Sequence, residues 1–174
     1  MQSRVSELSG PSFTAVSNQA SFAASCVLVL LLVGSYVSGR GAGNVFPDWP
    51  LMNGRLIPDL SFQLAALHFL HRALALIVGI VVAVVGIRVL RRKQQLPVQA
   101  TLIHAALALF AIEVMIGALN VWTDLNAAAV TAHLLTGALI WSSLVGVAVT
   151  SHPALQRVAD REAVMSARPA LEGS

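Results

Sequence analysis

The sequence predicts an all-α protein, an integral membrane, antiparallel four-helix transmembrane bundle. Three observations carry this expectation. Hydrophobic residues make up 56% of the 174 residues and charged residues 11%, against about 25% charged in an average soluble domain. Charges are absent from long runs: none lies between Glu7 and Arg40, none between Arg72 and Arg88, and only Glu113 and Asp124 lie between Lys93 and Arg157. Basic residues also mark alternate ends of these runs, as they do when spans cross back and forth. This balance excludes a soluble globular enzyme, a disordered chain and a disulfide-stapled domain. Cys26 is the only cysteine, so neither an internal disulfide nor a thiolate metal cluster can form. A net charge of +3 with one short basic cluster offers no stripe for nucleic acid.

Crossing a hydrocarbon core of roughly 30 Å takes about 20 apolar residues. Four segments meet that length: about 20–38, 63–87, 98–122 and 127–151. The first holds CVLVLLLVGSYV. It is expected to be a span and not a cleaved leader, because Arg4 and Glu7 precede it instead of a basic cluster and further spans follow. The second holds ALALIVGIVVAVVGI; the third and fourth are less apolar but long enough. The connection carrying Arg88, Arg91, Arg92 and Lys93 is expected in the cytoplasm, and the Asp124 connection, without Lys or Arg, outside. Arg157, Arg161 and Arg168 place the C-terminal tail inside. Both tails, 1–19 and 152–174, are then cytoplasmic, and the loop 39–62 lies outside a multi-pass protein of the cell (plasma) membrane. That loop is rich in Gly, Pro and Trp, and a loop of this length is commonly functional.

Ionisable residues inside spans are costly and point to function. His71 sits eight residues into the second span, roughly 12 Å deep at 1.5 Å per residue, and His133 six residues into the fourth, roughly 9 Å deep. Two histidines at similar depth on diagonal helices suit the axial positions of a haem iron. Ala75 and Gly137, one turn below them, would leave room for a porphyrin face. The plainer alternative is that each histidine hydrogen-bonds across the bundle. Zinc would need three or four ligands, and only Glu113 is at hand. Arg72 is a candidate partner for a haem propionate; it could equally pair with Asp48 or Asp59 or reach toward the interface. His68, one turn above His71, is a candidate proton acceptor or an interfacial, water-facing residue. Glu113, roughly 13 Å from the end of the third span, could relay protons, orient a ligand, or stay protonated and bonded to a neighbouring helix. His104 lies on the opposite face of that helix and reads as structural.

The stretch GSYVSGRGAGNVFPDWPLMNGRLIP followed by HFLHRALA, and the later IEVMIGALNVWTDLNAAAVTAHLLTGALI, resemble the haem A synthase family over about 34–147. The resemblance rests on Pro-Asp-Trp-Pro-Leu, then His-Arg, then Ala-His-Leu. It implies a four-helix bundle of the kind that occurs twice in the family's usual eight-span protein, with His71 and His133 as axial ligands to haem iron. It implies oxidation of the C8 methyl of haem O to the formyl of haem A, with haem b passing electrons. A single bundle implies a homodimer, a second half-length subunit or a fragment. A haem O-producing farnesyltransferase and membrane lipid are the further implied partners. Two positions depart from the family pattern: Phe46 and Met52 stand where many members have cysteines, and His68 stands where a catalytic Glu is common. The outer aromatic and proline residues Phe46, Pro47, Trp49 and Pro50 could cover a farnesyl tail or anchor the loop at the interface. A non-catalytic haem b module for electron transfer or haem delivery, and a haem-free assembly protein, are the competing readings.

Overall fold

The computed structural model describes residues 11–158 together with 161, 162 and 165. Its main elements are four helices: α1 (Pro11–Gly39), α2 (Gln63–Leu90), α3 (Pro97–Trp122) and α4 (Ala127–Thr150). Each contains a stretch long and apolar enough to cross a membrane. Strands are absent among the described residues, so the fold class is the all-α transmembrane bundle that the charge-free runs predict.

Each helix packs on its sequence neighbours, and α1 closes the ring against α4, so α2 and α4 stand diagonally opposite. The two short connections, α2–α3 and α3–α4, leave those helices antiparallel and adjacent, and the long 40–62 loop joins α1 to α2. The α1 surface in the ring is a stripe of small residues, Ala20, Ala23, Ala24 and Val27, all buried. Such spacing lets backbones approach closely where lipid offers no hydrophobic drive. The helix ends follow local rules. Pro97 opens α3, where its missing N–H is no loss. The Asn126 side chain accepts from the Ala128 amide at 3.0 Å and caps α4. Arg88 lies in the last turn of α2, favourable to the helix dipole.

One boundary departs from expectation. The first span was expected to begin at about residue 20, and the helix that carries it begins at Pro11. Val16, Ser17 and Ala20 are buried, and the Ser17 hydroxyl donates to the Ala148 carbonyl at 2.9 Å. Tertiary contact with the end of α4 extends a helix whose local sequence, SNQ, looks polar. Residues 1–10 and most of the C-terminal tail lie outside the described residues. Residues 153–158 are helical, with Gln156 donating to the Thr150 carbonyl at 2.7 Å.

The apolar core has two parts. The larger runs through the half of the bundle that ends in Arg88–Lys93, around Val82, Val89, Ile103, Ile140, Leu144 and Val147. The smaller lies under the 40–62 loop and consists of Phe46, Met52 and Ala65. Between them sits a layer of glycine, histidine and one glutamate.

Candidate functional site

The long loop folds as a cap over the open end of the ring. Its tip is a tight turn in which Met52 and Arg55 exchange backbone hydrogen bonds of 2.8 and 3.2 Å. Asn53 and Gly54 take φ of 54° and 73°, the left-handed pair that an Asn-Gly hairpin turn requires. The Asp48 carboxylate accepts from both their amides, at 2.7 and 2.8 Å. Those bonds, Gly54's above all, hold the Asp48 carboxyl below the usual carboxylate range. Phe46 and Met52, where the family resemblance would put cysteines, are buried side chains of one apolar cluster. Packing therefore does the stapling in this loop. Phe46 faces inward as part of the loop's own core. Trp49 meets Trp122 edge-on at 6.1 Å, tying the loop to the end of α3. Asn44 donates to the Asp124 carboxylate in the α3–α4 connection, and Leu125 packs against Gly43.

His68 and Arg72 hold this cap to α2. The His68 Nδ1–H donates to the Ala42 carbonyl at 2.9 Å, and its Nε2 accepts from Arg72 Nε–H at 2.9 Å. Both ring nitrogens are committed, so the imidazole is neutral in its Nδ1–H tautomer. His68 is buried, not water-facing. The Arg72 guanidinium donates onward to the backbone carbonyls of Leu51 (3.0 Å) and Asp48 (3.3 Å from each terminal nitrogen). It thus reaches Asp48 through the main chain and not through the carboxylate. Its carbon also lies 5.9 Å over the Phe46 ring, a cation–π distance.

Below the latch lie His71 on α2 and His133 on α4. The Nδ1 of each is buried without a hydrogen-bond partner. Glu113 on α3 reaches into the same layer, with Oε1 3.2 Å from His133 Nδ1. That contact is off the line of a well-aligned hydrogen bond, and Oε2 is buried and unpartnered. Glycines make the layer possible. A Cβ at Gly34 would lie 3.0 Å from His71 Cε1, one at Gly117 3.4 Å from His133 Cε1, and one at Gly137 3.1 Å from Glu113 Oε1. His104 bonds the Ala100 carbonyl of its own helix at 2.7 Å and is exposed on the bundle surface. Among the described residues, no three His, Cys, Asp or Glu side chains converge as a metal cluster. The donor set is two imidazoles, each with an uncommitted buried nitrogen, in apolar walls with close glycine backbone. These residues fit a bis-histidine haem.

Several members of this arrangement escaped the sequence reading. Gly34 and Gly117 carry no chemical signature, and their role appears only when a ring lies against them. The turn at 53–54 was missed as well, although its Asn-Gly dipeptide is the sequence signal from which it could have been read. The Asn44–Asp124 and Glu113–His133 contacts join residues on different elements, which no local pattern reveals.

Comparison with known proteins places the chain beside the haem A synthases. Haem A synthase of Erythrobacter litoralis is 33% identical over 147 residues, covering 79% of this chain and 41% of that protein. Haem A synthase of Caulobacter vibrioides is 37% identical over 116 residues, covering 60% of this chain and 32% of that protein. A third, from another Caulobacter species, is 32% identical over 106 residues, covering 55% and 30%. The chain spans less than half the length of these relatives. No solved structure matches it. The model of the family described as cytochrome oxidase assembly protein matches residues 4–145, a range that takes in the cap, the latch and both buried histidines. The chain is a multi-pass membrane protein and belongs to the cytochrome oxidase assembly protein family, the family of the haem A synthases.

Proposed function

We propose that this bundle binds haem between α2 and α4 and works in haem A formation, oxidising the C8 methyl of haem O to a formyl group for cytochrome oxidase assembly. The observation that carries the reading is the pair of imidazoles on diagonal helices, His71 and His133, each ring set against glycine backbone in one layer of the bundle. Haem iron held by two imidazoles supplies one-electron redox chemistry. The chain's own residues bind and enclose: His71 and His133 as ligands, Gly34 and Gly117 as close walls, and the cap as a water-excluding roof. Haem b is the resident group in this reading, and haem O and haem A are substrate and product.

Oxidising a methyl group releases protons, so a base near the porphyrin edge is needed. His68 is the proposed acceptor. Its Nε2 is engaged by Arg72, so proton uptake there and release of Arg72 are one event. Freed, the guanidinium would be available to a propionate. The proposed assembly is a homodimer or a complex with a second half-length subunit, supplied by a haem O-producing farnesyltransferase. It sits in the plasma membrane with both termini in the cytoplasm, as the Arg88–Lys93 connection suggests.

One observation favours a second reading. Both nitrogens of His68 are committed to holding the cap, as suits a haem b module that carries electrons or delivers haem without converting it. Haem extraction from the detergent-purified chain, co-expressed with a haem O-producing enzyme, separates the two. Haem A or a hydroxylated haem O is the expected product. Haem b alone, with a bis-histidine spectrum lost in His71→Ala, would overturn the synthase reading in favour of the module. Absence of any haem would overturn both.

A further inference from the structure

The two proposed ligands are not equivalent. His133 has a carboxylate 3.2 Å from its Nδ1, whereas His71, whose ring lies against Gly34, has no carboxylate within that reach among the described residues. We propose that Glu113 is a positioning residue for His133, accepting from its Nδ1–H, so that His133 is the firmly held haem ligand and His71 the exchangeable one. The inference rests on the haem-binding reading above.

The arrangement is built from two helices. Glu113 comes from α3 and His133 from α4, and the Nδ1–Oε1 separation is 3.2 Å. Gly117, one turn beyond Glu113, lies against the His133 ring, and Gly137, one turn beyond His133, lies against the Glu113 carboxyl. A Cβ at Gly137 would press on Leu31 and on the Glu113 carboxyl, whereas one at Gly117 would only touch the His133 ring at ordinary contact distance, so it is Gly137 that gives the carboxyl its room. Glu113 makes no hydrogen bond to any other residue among those described, and its Oε2 is buried. A buried carboxylate without structural bonds is expensive, and the imidazole is the group it faces.

A carboxylate on the far nitrogen of a ligating histidine does two things. It fixes the tautomer, leaving Nε2 as the nitrogen that faces the metal. It also raises the basicity of the ring and so strengthens the bond. On the opposite side, the Nδ1 of His71 has no carboxylate near it and no hydrogen-bond acceptor among the described residues. His71 is therefore the ligand that yields when an external ligand or a substrate movement competes for the iron.

The test uses the full chain in detergent with haem b, comparing wild type, Glu113→Gln and Glu113→Leu. The expected results are a reduction potential raised in both variants and haem affinity lowered about 10- to 100-fold in Glu113→Leu. In the wild-type background His71→Ala should retain haem as a single-histidine, high-spin species, and His133→Ala should lose it. Added imidazole should restore the low-spin spectrum of His71→Ala. If Glu113→Leu fails to fold, Glu113→Gln and the two histidine variants still decide the matter. An unchanged potential in the Glu113 variants, or equal haem retention in His71→Ala and His133→Ala, overturns the proposal. A wild-type chain that takes up no haem overturns the haem-binding reading itself.

Discussion

Replacing Arg72 with alanine should release the cap from the bundle. The guanidinium makes two short hydrogen bonds, to His68 Nε2 at 2.9 Å and to the Leu51 carbonyl at 3.0 Å. Two longer ones go to the Asp48 carbonyl at 3.3 Å. Bonds made by a charged group contribute about 1.5–3 kcal/mol each, and a half-buried one belongs at the low end. The two short bonds then amount to about 3 kcal/mol, which at 1.4 kcal/mol per decade is roughly a 100-fold rise in the open population of the loop. Hydrogen exchange read by mass spectrometry in lipid nanodiscs measures it directly. The amides to follow are Met52 and Arg55, bonded to each other, and Asn53 and Gly54, bonded to Asp48. Their exchange should accelerate by roughly two orders of magnitude, while the α3 and α4 amides stay protected. Arg72→Lys should fall between, because an ammonium is a single point donor that cannot serve His68 and two carbonyls together. Unchanged protection in Arg72→Ala, or acceleration spread evenly over the helices, would refute the latch.

Two further outcomes follow from the same geometry. The Asp48 carboxyl is held below its ordinary value of 3.8 by the Gly54 and Asn53 amides, so its hold on the turn is complete above that value and is lost as the pH falls through the lower folded value. Trp fluorescence, sensitive to the Trp49–Trp122 contact, should change in that acid window, and a transition centred near neutrality would contradict the assignment. Gly34→Ala sets a methyl 3.0 Å from His71 Cε1, which is closer than the ring tolerates without moving. The bis-histidine spectrum should weaken while helicity by circular dichroism is retained; an unaltered haem spectrum would show that His71 has room to shift.

The charge-free runs determined the number of helices and the class of fold, because a bilayer penalises every charge placed in it. The positions of His71 and His133 along their helices were also legible, since a helix rises by a fixed amount per residue. Their helices stand diagonally because each helix packs on its sequence neighbours and α1 closes the ring against α4. Tertiary structure alone decided the rest. His68 and His71, one turn apart, share a helix face in the sequence reading, yet one bonds the loop's Ala42 carbonyl and the other rests on Gly34. Glu113 acquired meaning only when α3 and α4 brought it 3.2 Å from His133. Phe46 and Met52 read as lost cysteines, but in the fold they are the core that closes the loop. Periodicity records how residues repeat along one helix and which side faces lipid. It carries no record of which side chain on another element will stand opposite, because that depends on how four helices and a loop pack into the same space.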